Sequence, residues 1–210
     1  TALWSYSTSG DVEAVSISSS GEYIAVGSDD DKVYLFHKDS SIPLWSYETN
    51  GNVVSVAISG NGEYVAAGSH PSGSGKLYLF DNSGNLHWET QITGGSEGVI
   101  SISFSNDGEY LVAGSHNNKV YYFDKDSSTE IWSYTTAGNV YSVAMSSDGE
   151  YIAVGTENDK IYLFSKTSST PSWTYTTDDH VYSVSISADG EYIAGGSNDD
   201  KVYLFDKDSS

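Results

Sequence analysis

Ten residues of this chain have the type and spacing to do binding chemistry. Asp29, His70, His116, Glu157 and Asn198 each follow a Gly-Ser or Gly-Thr dipeptide. Asp11, Asn52, Glu97, Asn139 and His180 each stand one or two residues ahead of a short apolar run. Imidazole and carboxylate together form the donor set of a zinc or other transition-metal site. Here, however, the residues recur once per repeated unit, so they spread over separate modules and no metal site is expected. The set reads instead as a binding face built from exposed loops. The long loop His70–Gly75 and the insert Gly94–Gly98 belong to the same face, where extra loop length in a repeat array marks the working side. Tyr141 and Tyr182, on the first strands of their units, read as core packing, with aromatic surface as the alternative.

Other constellations carry less. GGSEG (94–98) spells the nucleophile elbow G-x-S-x-G, but a strand follows it where the elbow needs a helix. No catalytic constellation is supported, so the chain is not expected to be an enzyme. DKDSS (124–128, 206–210) and DNSGN (81–85) alternate oxygen-bearing side chains as calcium loops do. They lack the sixth-position glycine and distal glutamate of an EF-hand, and Asp and Ser build tight turns of this spelling without a cation. Turn chemistry is the expectation. Trp4, Trp45, Trp88, Trp132 and Trp173 recur at one position of the unit; they are read as packing between modules, with sugar-stacking platforms as the alternative. Glu22, Glu63, Glu109, Glu150 and Glu191 each follow a turn glycine, and lysines stand nearby, an arrangement that predicts local charge neutralisation.

The elements that position these residues come from a repeat. GEYIAVGSDDDKVYLF (21–36) returns at 62, 108, 149 and 190, in steps of 41, 46, 41 and 41 residues. The long step comes from loop insertions that leave the framework in phase. Within a unit the apolar period is two, as in a half-buried strand, and Gly, Asn, Asp and Ser clusters bound each run. VVSVAIS (53–59) is expected to place Val54, Val56 and Ile58 on one side. EYIAVGS (22–28) sets Tyr23, Ala25 and Gly27 opposite Ile24 and Val26. KVYLF (32–36) and LWSY (44–47) complete the unit, and no window reads as an amphipathic helix.

Each unit is thus four short antiparallel strands, near 53–59, 63–68, 76–81 and 86–92 in the second. One such sheet cannot bury both faces alone; five packed face to face can. Small residues on the first strand (Ala14, Ser55, Ser101, Ser142, Ser183) suit a crowded region. The expected fold is all-β, a five-bladed β-propeller of four-stranded antiparallel blades over a single domain, 1–210. The blades fall at about 12–49, 53–92, 99–136, 140–177 and 181–210 with 1–8. The chain opens on ALWSY (2–6), a fourth strand without its first three, and closes on KVYLFDKDSS (201–210), a third strand without its fourth. Pairing of residues 2–8 beside 201–206 is therefore expected to close the ring and remove two open sheet edges.

Composition bounds the partners. The chain has 210 residues, no cysteine, and a formal net charge of −20 with every basic residue a lysine. Without thiols there is no disulfide framework, cysteine zinc site or thiol catalysis. So acidic a surface, lacking the guanidinium fork, repels phosphate backbones, which excludes nucleic acid, and no apolar run is long enough for membrane insertion as a helix. Thr1 opens the chain with no visible signal peptide, so it reads as a processed product or excised segment. The acidity leans toward extracellular or cell-surface conditions, where salt screens self-repulsion.

SSDGEYIAVGTENDKIYLF (146–164) resembles the WD-repeat propeller pattern. Phe36, Phe80, Phe123, Phe164 and Phe205 stand at that family's tryptophan, Asp81, Asp124 and Asp206 keep the following Asp, and His37 and Ser165 do not. The Gly-His dipeptide is missing. DKDSSTEIW (124–132) is similar to the tryptophan-docking stretch of pyrroloquinoline-quinone-type propellers. The resemblance implies the fold across the whole chain and leaves function open, because propellers host enzymes, scaffolds and lectins. An anionic quinone would need cationic contacts that a chain without arginine lacks, so no cofactor is expected. The reading is a non-catalytic propeller binding a protein partner through its loop-bearing face, with a lectin-like, glycan-binding propeller as the alternative.

Overall fold

A computed structural model describes residues 1–71, 74–93 and 98–208, and no helix occurs among them. The insert at 94–97, including Glu97 and most of GGSEG, and part of the 70–75 loop lie outside the described residues. The chain divides into two compact units, Thr1–Val99 and Ile100–Ser210.

In the first unit, β1 (Val12–Ile17), β2 (Tyr23–Ser28), β3 (Lys32–His37) and β4 (Trp45–Glu48) form one antiparallel sheet in sequence order. β5 (Asn52–Ile58), β6 (Tyr64–His70), β7 (Lys76–Asp81) and β8 (Leu86–Gln91) form the next. The second unit repeats the pattern. β9 (Val99–Phe104), whose first residue ends the first unit, joins β10 (Tyr110–Ser115), β11 (Lys119–Asp124) and β12 (Trp132–Thr135). β13 (Val140–Met145), β14 (Tyr151–Thr156), β15 (Lys160–Ser165) and β16 (Trp173–Thr176) follow, then β17 (Val181–Ile186), β18 (Tyr192–Ser197) and β19 (Val202–Asp206). These five meandering sheets are the blades of a β-propeller repeat, in the phase the sequence predicts.

Turn chemistry sets the strand lengths. Gly21, Gly62, Gly108, Gly149 and Gly190 take φ between 72° and 77°, the left-handed region open to glycine, and they start each second strand. In four sheets the next hairpin turns on Asp31, Asn118, Asp159 or Asp200 at φ 63–65°. Asp and Asn tolerate that conformation better than other side chains. The second sheet replaces this turn with its longer loop.

The core forms where one sheet meets the next. Ala25, Val33 and Leu35 of the first sheet bury against Val53, Val56 and Ile58 of the second. Ile161 and Leu163 meet Val181 and Val184 in the same way. Gly27 and Gly155 are the contact points: a Cβ added there would lie 2.7 Å from Val53 Cγ1 and 2.8 Å from Val181 Cγ1. Glycine in a strand permits this approach of a neighbouring sheet.

One expectation is corrected. Val54 does not share a side with Val56 and Ile58. The register slips between Val53 and Ser55, a β-bulge, so Val53 takes the core position and Val54 is displaced from it. Within the second unit the last sheet has three strands. In the first unit, residues 4–9 are anchored on the first sheet. Trp4 stacks on Phe36 at 5.4 Å, its Nε1–H donates to Lys38 O at 2.7 Å, and Ser9 N–H donates to Asp30 Oδ2 at 3.0 Å.

Candidate functional site

Eight of the ten predicted residues resolve into four pairs, one each in the first, second, fourth and fifth sheets. Asp29 N–H donates to Asp11 O at 2.9 Å, Glu157 N–H to Asn139 O at 2.9 Å and Asn198 N–H to His180 O at 2.8 Å. Asn52 and His70 are opposite each other in the β5–β6 ladder. The two sequence positions are therefore one structural position, where the first strand enters and the second leaves. His116 occupies it in the third sheet, where its counterpart Glu97 is outside the described residues.

One step into each first strand lies a feature that period-two reading hides. The register shifts between Val12 and Ala14, Val53 and Ser55, Val140 and Ser142, and Val181 and Ser183. A bulge inserts one residue without a ladder partner and re-aims its side chain. The inserted residues are Glu13, Val54, Tyr141 and Tyr182. Tyr182 is 52% exposed, so core packing is not its role. Tyr141 and Tyr182 meet at 5.1 Å, His116 packs edge-on to Tyr141 at 5.8 Å, and His180 lies 6.3 Å from Tyr141 and 6.2 Å from Tyr182. Within the second unit the loop edge thus carries a strip of two tyrosines and two histidines across three sheets.

Acids rim that strip. Asn139 N–H donates to Glu157 Oε2 at 3.2 Å, and Asn198 Nδ2 donates to Asp179 Oδ2 at 2.8 Å. His180 Nδ1 lies 3.1 Å from Asp159 Oδ1, and its backbone N–H reaches Asp179 Oδ1 at 2.7 Å. The hydrogen bond to Asp159 is the main cause raising the His180 pKa above its ordinary 6.5, with the Asp179 charge adding to it. Asp179 is held below the usual carboxylate range, first by the His180 backbone N–H and then by Asn198. In the first unit the bulge residue Glu13 joins Asp11 and Asp29, their carboxylate oxygens within 4.8 Å of one another. Asp159, Asp179 and His180 group as closely. On a chain of net charge −20 such grouping follows from composition, and no metal is assigned to either.

The tryptophans bind sheets together. Trp45 Nε1–H donates to Asn82 O at 2.9 Å, Trp132 to Lys166 O at 2.9 Å and Trp173 to Lys207 O at 2.8 Å, each acceptor on the following sheet. Their rings pack on Phe80, Phe164 and Phe205 at 5.1–5.4 Å. This docking contact is what the stretch 124–132 resembled. The family model described as outer membrane protein assembly factor BamB matches residues 1–210. The chain belongs to this family of pyrroloquinoline-quinone-type repeat propellers. No curated protein sequence matches it.

Six of the nine lysines of this BamB-family chain, Lys38, Lys76, Lys125, Lys166, Lys201 and Lys207, are paired with Asp or Glu side chains. Three of these pairs, Lys125–Glu109, Lys166–Glu150 and Lys207–Glu191, join the turn glutamate to the lysine after the third strand, which is the neutralisation predicted. The oxygen-rich loops are turns: Asp126 N–H donates to Asp124 Oδ1 at 2.8 Å, Asp208 N–H to Asp206 Oδ1 at 2.9 Å, and Ser83 N–H to Asp81 Oδ1 at 2.9 Å.

Sequence reading missed a second role of the first strand. Its serines stitch one BamB-type blade to the next: Val143 N–H donates to Ser101 Oγ at 3.0 Å, Val184 N–H to Ser142 Oγ at 3.1 Å, and Ser55 Oγ–H to Val99 O at 2.6 Å. The repeat of V-x-S-V at 53, 140 and 181 held the signal for these serines and for the bulge. Valines three apart, around one residue that varies and one that stays small, do not fit a regular strand.

Proposed function

We propose that this chain is a non-catalytic binding module whose loop edge in the second unit takes a basic segment of a protein partner. The observation that carries the reading is the His116–Tyr141–Tyr182–His180 strip, with Glu157, Asp159 and Asp179 around it. Tyrosine supplies amphipathic contact area at low entropic cost and is enriched at interface hot spots. A lysine or arginine of the partner is attracted by the tyrosine faces and by the rim carboxylates together. Membership of a family described as an outer membrane protein assembly factor supports a protein partner in kind. The net charge of −20 supports a basic one.

The test is fluorescence anisotropy with a panel of lysine- and arginine-containing peptides, acidic control peptides, and a glycan array in parallel. The expected result is binding of basic peptides that weakens with salt and falls at least about tenfold, ~1.4 kcal/mol, in Tyr141→Ala/Tyr182→Ala. A panel in which no basic peptide binds, or binds the double variant as well as the parent, overturns the reading. Glycan binding that survives the double variant would favour the lectin alternative.

A further inference from the structure

The turn between first and second strands is spelled one way in the last three sheets and another way in the second. Asp107, Asp148 and Asp189 precede the turn glycine in the last three. Each Oδ1 accepts from the serine two residues back and from the glutamate N–H two residues on. The distances are 2.7 and 3.0 Å at Asp107, 2.6 and 3.0 Å at Asp148, and 2.6 and 3.1 Å at Asp189. In each of these sheets the glutamate pairs with the lysine after the third strand, as Glu150 does with Lys166. In the second sheet Asn61 replaces the aspartate and Asn82 the lysine. The frame is kept: Ser59 Oγ–H donates to Asn61 Oδ1 at 2.6 Å and Glu63 N–H donates to it at 3.1 Å. Glu63 Oε2 accepts from Asn61 Nδ2 at 3.0 Å, so the amide serves this glutamate as the ammonium serves the others.

The same frame presents that amide to its own backbone. In an Asn-Gly dipeptide the glycine nitrogen can add to the asparagine Cγ. The tetrahedral carbon then expels ammonia, made of the side-chain nitrogen and the proton the glycine gives up, and a cyclic imide remains. Water opens the imide at either carbonyl, its hydroxyl going to carbon and its hydrogen to the glycine nitrogen, to give aspartate or isoaspartate. Three features of this turn favour the first step. Glu63 N–H holds Oδ1 across residue 62, which folds Cγ over the nitrogen it must bond. Ser59 Oγ–H and Glu63 N–H are aimed at the oxygen that becomes negative, as in an oxyanion hole. Gly62, at φ 75°, has no side chain to obstruct the approach. Its N–H donates to Ser59 O at 2.9 Å, a bond that opens when the nitrogen gives up its proton, so base promotes the reaction. The aspartate turns are protected. Ser187 Oγ–H, then the Glu191 N–H, hold Asp189 below the usual carboxylate range, and an ionised carboxylate is a poor acyl acceptor.

We propose that Asn61–Gly62 is a self-modification site at which this chain deamidates without an enzyme. The sequence holds two Asn-Gly dipeptides, and the structure distinguishes them. Asn50 Oδ1 accepts from Ser69 Oγ at 2.6 Å and Tyr78 OH at 3.1 Å, which hold the side chain toward β6 and β7. Gly51 is packed on Pro71, whose Cα lies 2.6 Å from a built Cβ. The frame around the amide, and not the dipeptide, therefore sets the reactivity. Both dipeptides and their partners belong to the first unit, and the site is independent of the tyrosine strip. Deamidation switches local charge. Aspartate at 61 keeps the frame seen at Asp148, but it sets a second carboxylate beside Glu63 where Asn82 stands in place of lysine. Isoaspartate adds a backbone carbon to the turn between β5 and β6.

Timed peptide mapping by mass spectrometry tests the proposal. The purified chain is held at neutral and mildly alkaline pH, native and in urea, and amide loss is followed at both dipeptides against the Asn61→Asp chain as standard. In the native protein Asn61 is expected to lose its amide at least roughly tenfold faster than Asn50, and faster as pH rises. In urea the two rates should converge, because only the dipeptide then acts. A native Asn61 that keeps its amide as long as Asn50 does, or a ratio that urea leaves unchanged, would overturn the proposal. The charge switch has its own readout. Asn61→Asp should lower the urea midpoint and Asn61→Asp/Asn82→Lys should recover it, since the turn then matches Asp148, Glu150 and Lys166. An unchanged midpoint in Asn61→Asp would refute that consequence.

Discussion

Trp132→Ala puts the docking contact to its strictest test. The indole is 9% exposed, stacks on Tyr122 at 5.1 Å and Phe164 at 5.4 Å, and donates Nε1–H to Lys166 O at 2.9 Å. Truncation removes one of the largest side chains of a cluster that also holds Val112, Val120, Met145 and Phe164. Aromatic-to-alanine changes in such surroundings cost about 3–5 kcal/mol, a large share of the ~5–15 kcal/mol by which domains are usually stable. Trp132→Phe keeps most of the ring contact and removes the donor, so about 1–3 kcal/mol is expected from the Lys166 carbonyl left without its partner. Trp4 makes the same hydrogen bond and the same stacking but is only half-buried, beside Leu3 at 93% exposure. With less of its area removed from water, Trp4→Ala should cost less than Trp132→Ala.

Urea titration separates these cases, because a change in midpoint at constant slope reports stability alone. The order Trp132→Ala, then Trp132→Phe and Trp4→Ala, is the expected result. The reasoning fails if Trp132→Ala lies within about 1 kcal/mol of the parent, or if Trp4→Ala costs as much as Trp132→Ala. Burial would then not be what the tryptophan contributes.

Other consequences of the geometry are open to direct measurement. Gly155→Val forces a side chain into Val181 Cγ1 at 2.8 Å and should lower stability by about 1–3 kcal/mol in thermal melts. Ser142→Ala removes the acceptor of Val184 N–H, and faster hydrogen exchange at that amide with a loss of about 1–3 kcal/mol is expected. An NMR titration of His180 should give a midpoint above 6.5 that falls in Asp159→Asn. Because the folded value is the higher one, the stabilising pairing is complete below pH 6.5 and fades as pH rises through that midpoint.

Most of the fold was legible because the unit repeats. Gly62, Gly108, Gly149 and Gly190 mark the same turn, and the strand limits in the second unit came within about two residues of those found. Glu150 with Lys166 and Glu191 with Lys207 were legible from charge placement. The bulge was not, since alternation assumes one residue per ladder step, and an extra residue at Val54 reverses every side assignment on one flank. At the chain start, the recurrence of the tryptophan made the docking of Trp4 on Phe36 and Lys38 O legible.

The bulge also explains why the candidate site lies where it does. In β5, β13 and β17 the flanking valine is buried against the preceding sheet, and Ser55 and Ser142 are fixed by hydrogen bonds, so these cannot change without disturbing the blade. The inserted residue stands at the register shift, outside the core clusters. It is Glu13 and Val54 in the first unit, Tyr141 and Tyr182 in the second. Freedom to vary and exposure at the loop edge arise from the same one-residue slip in register. A replacement there should therefore alter binding while leaving the fold in place, and a replacement at Val140 or Val181 should do the reverse.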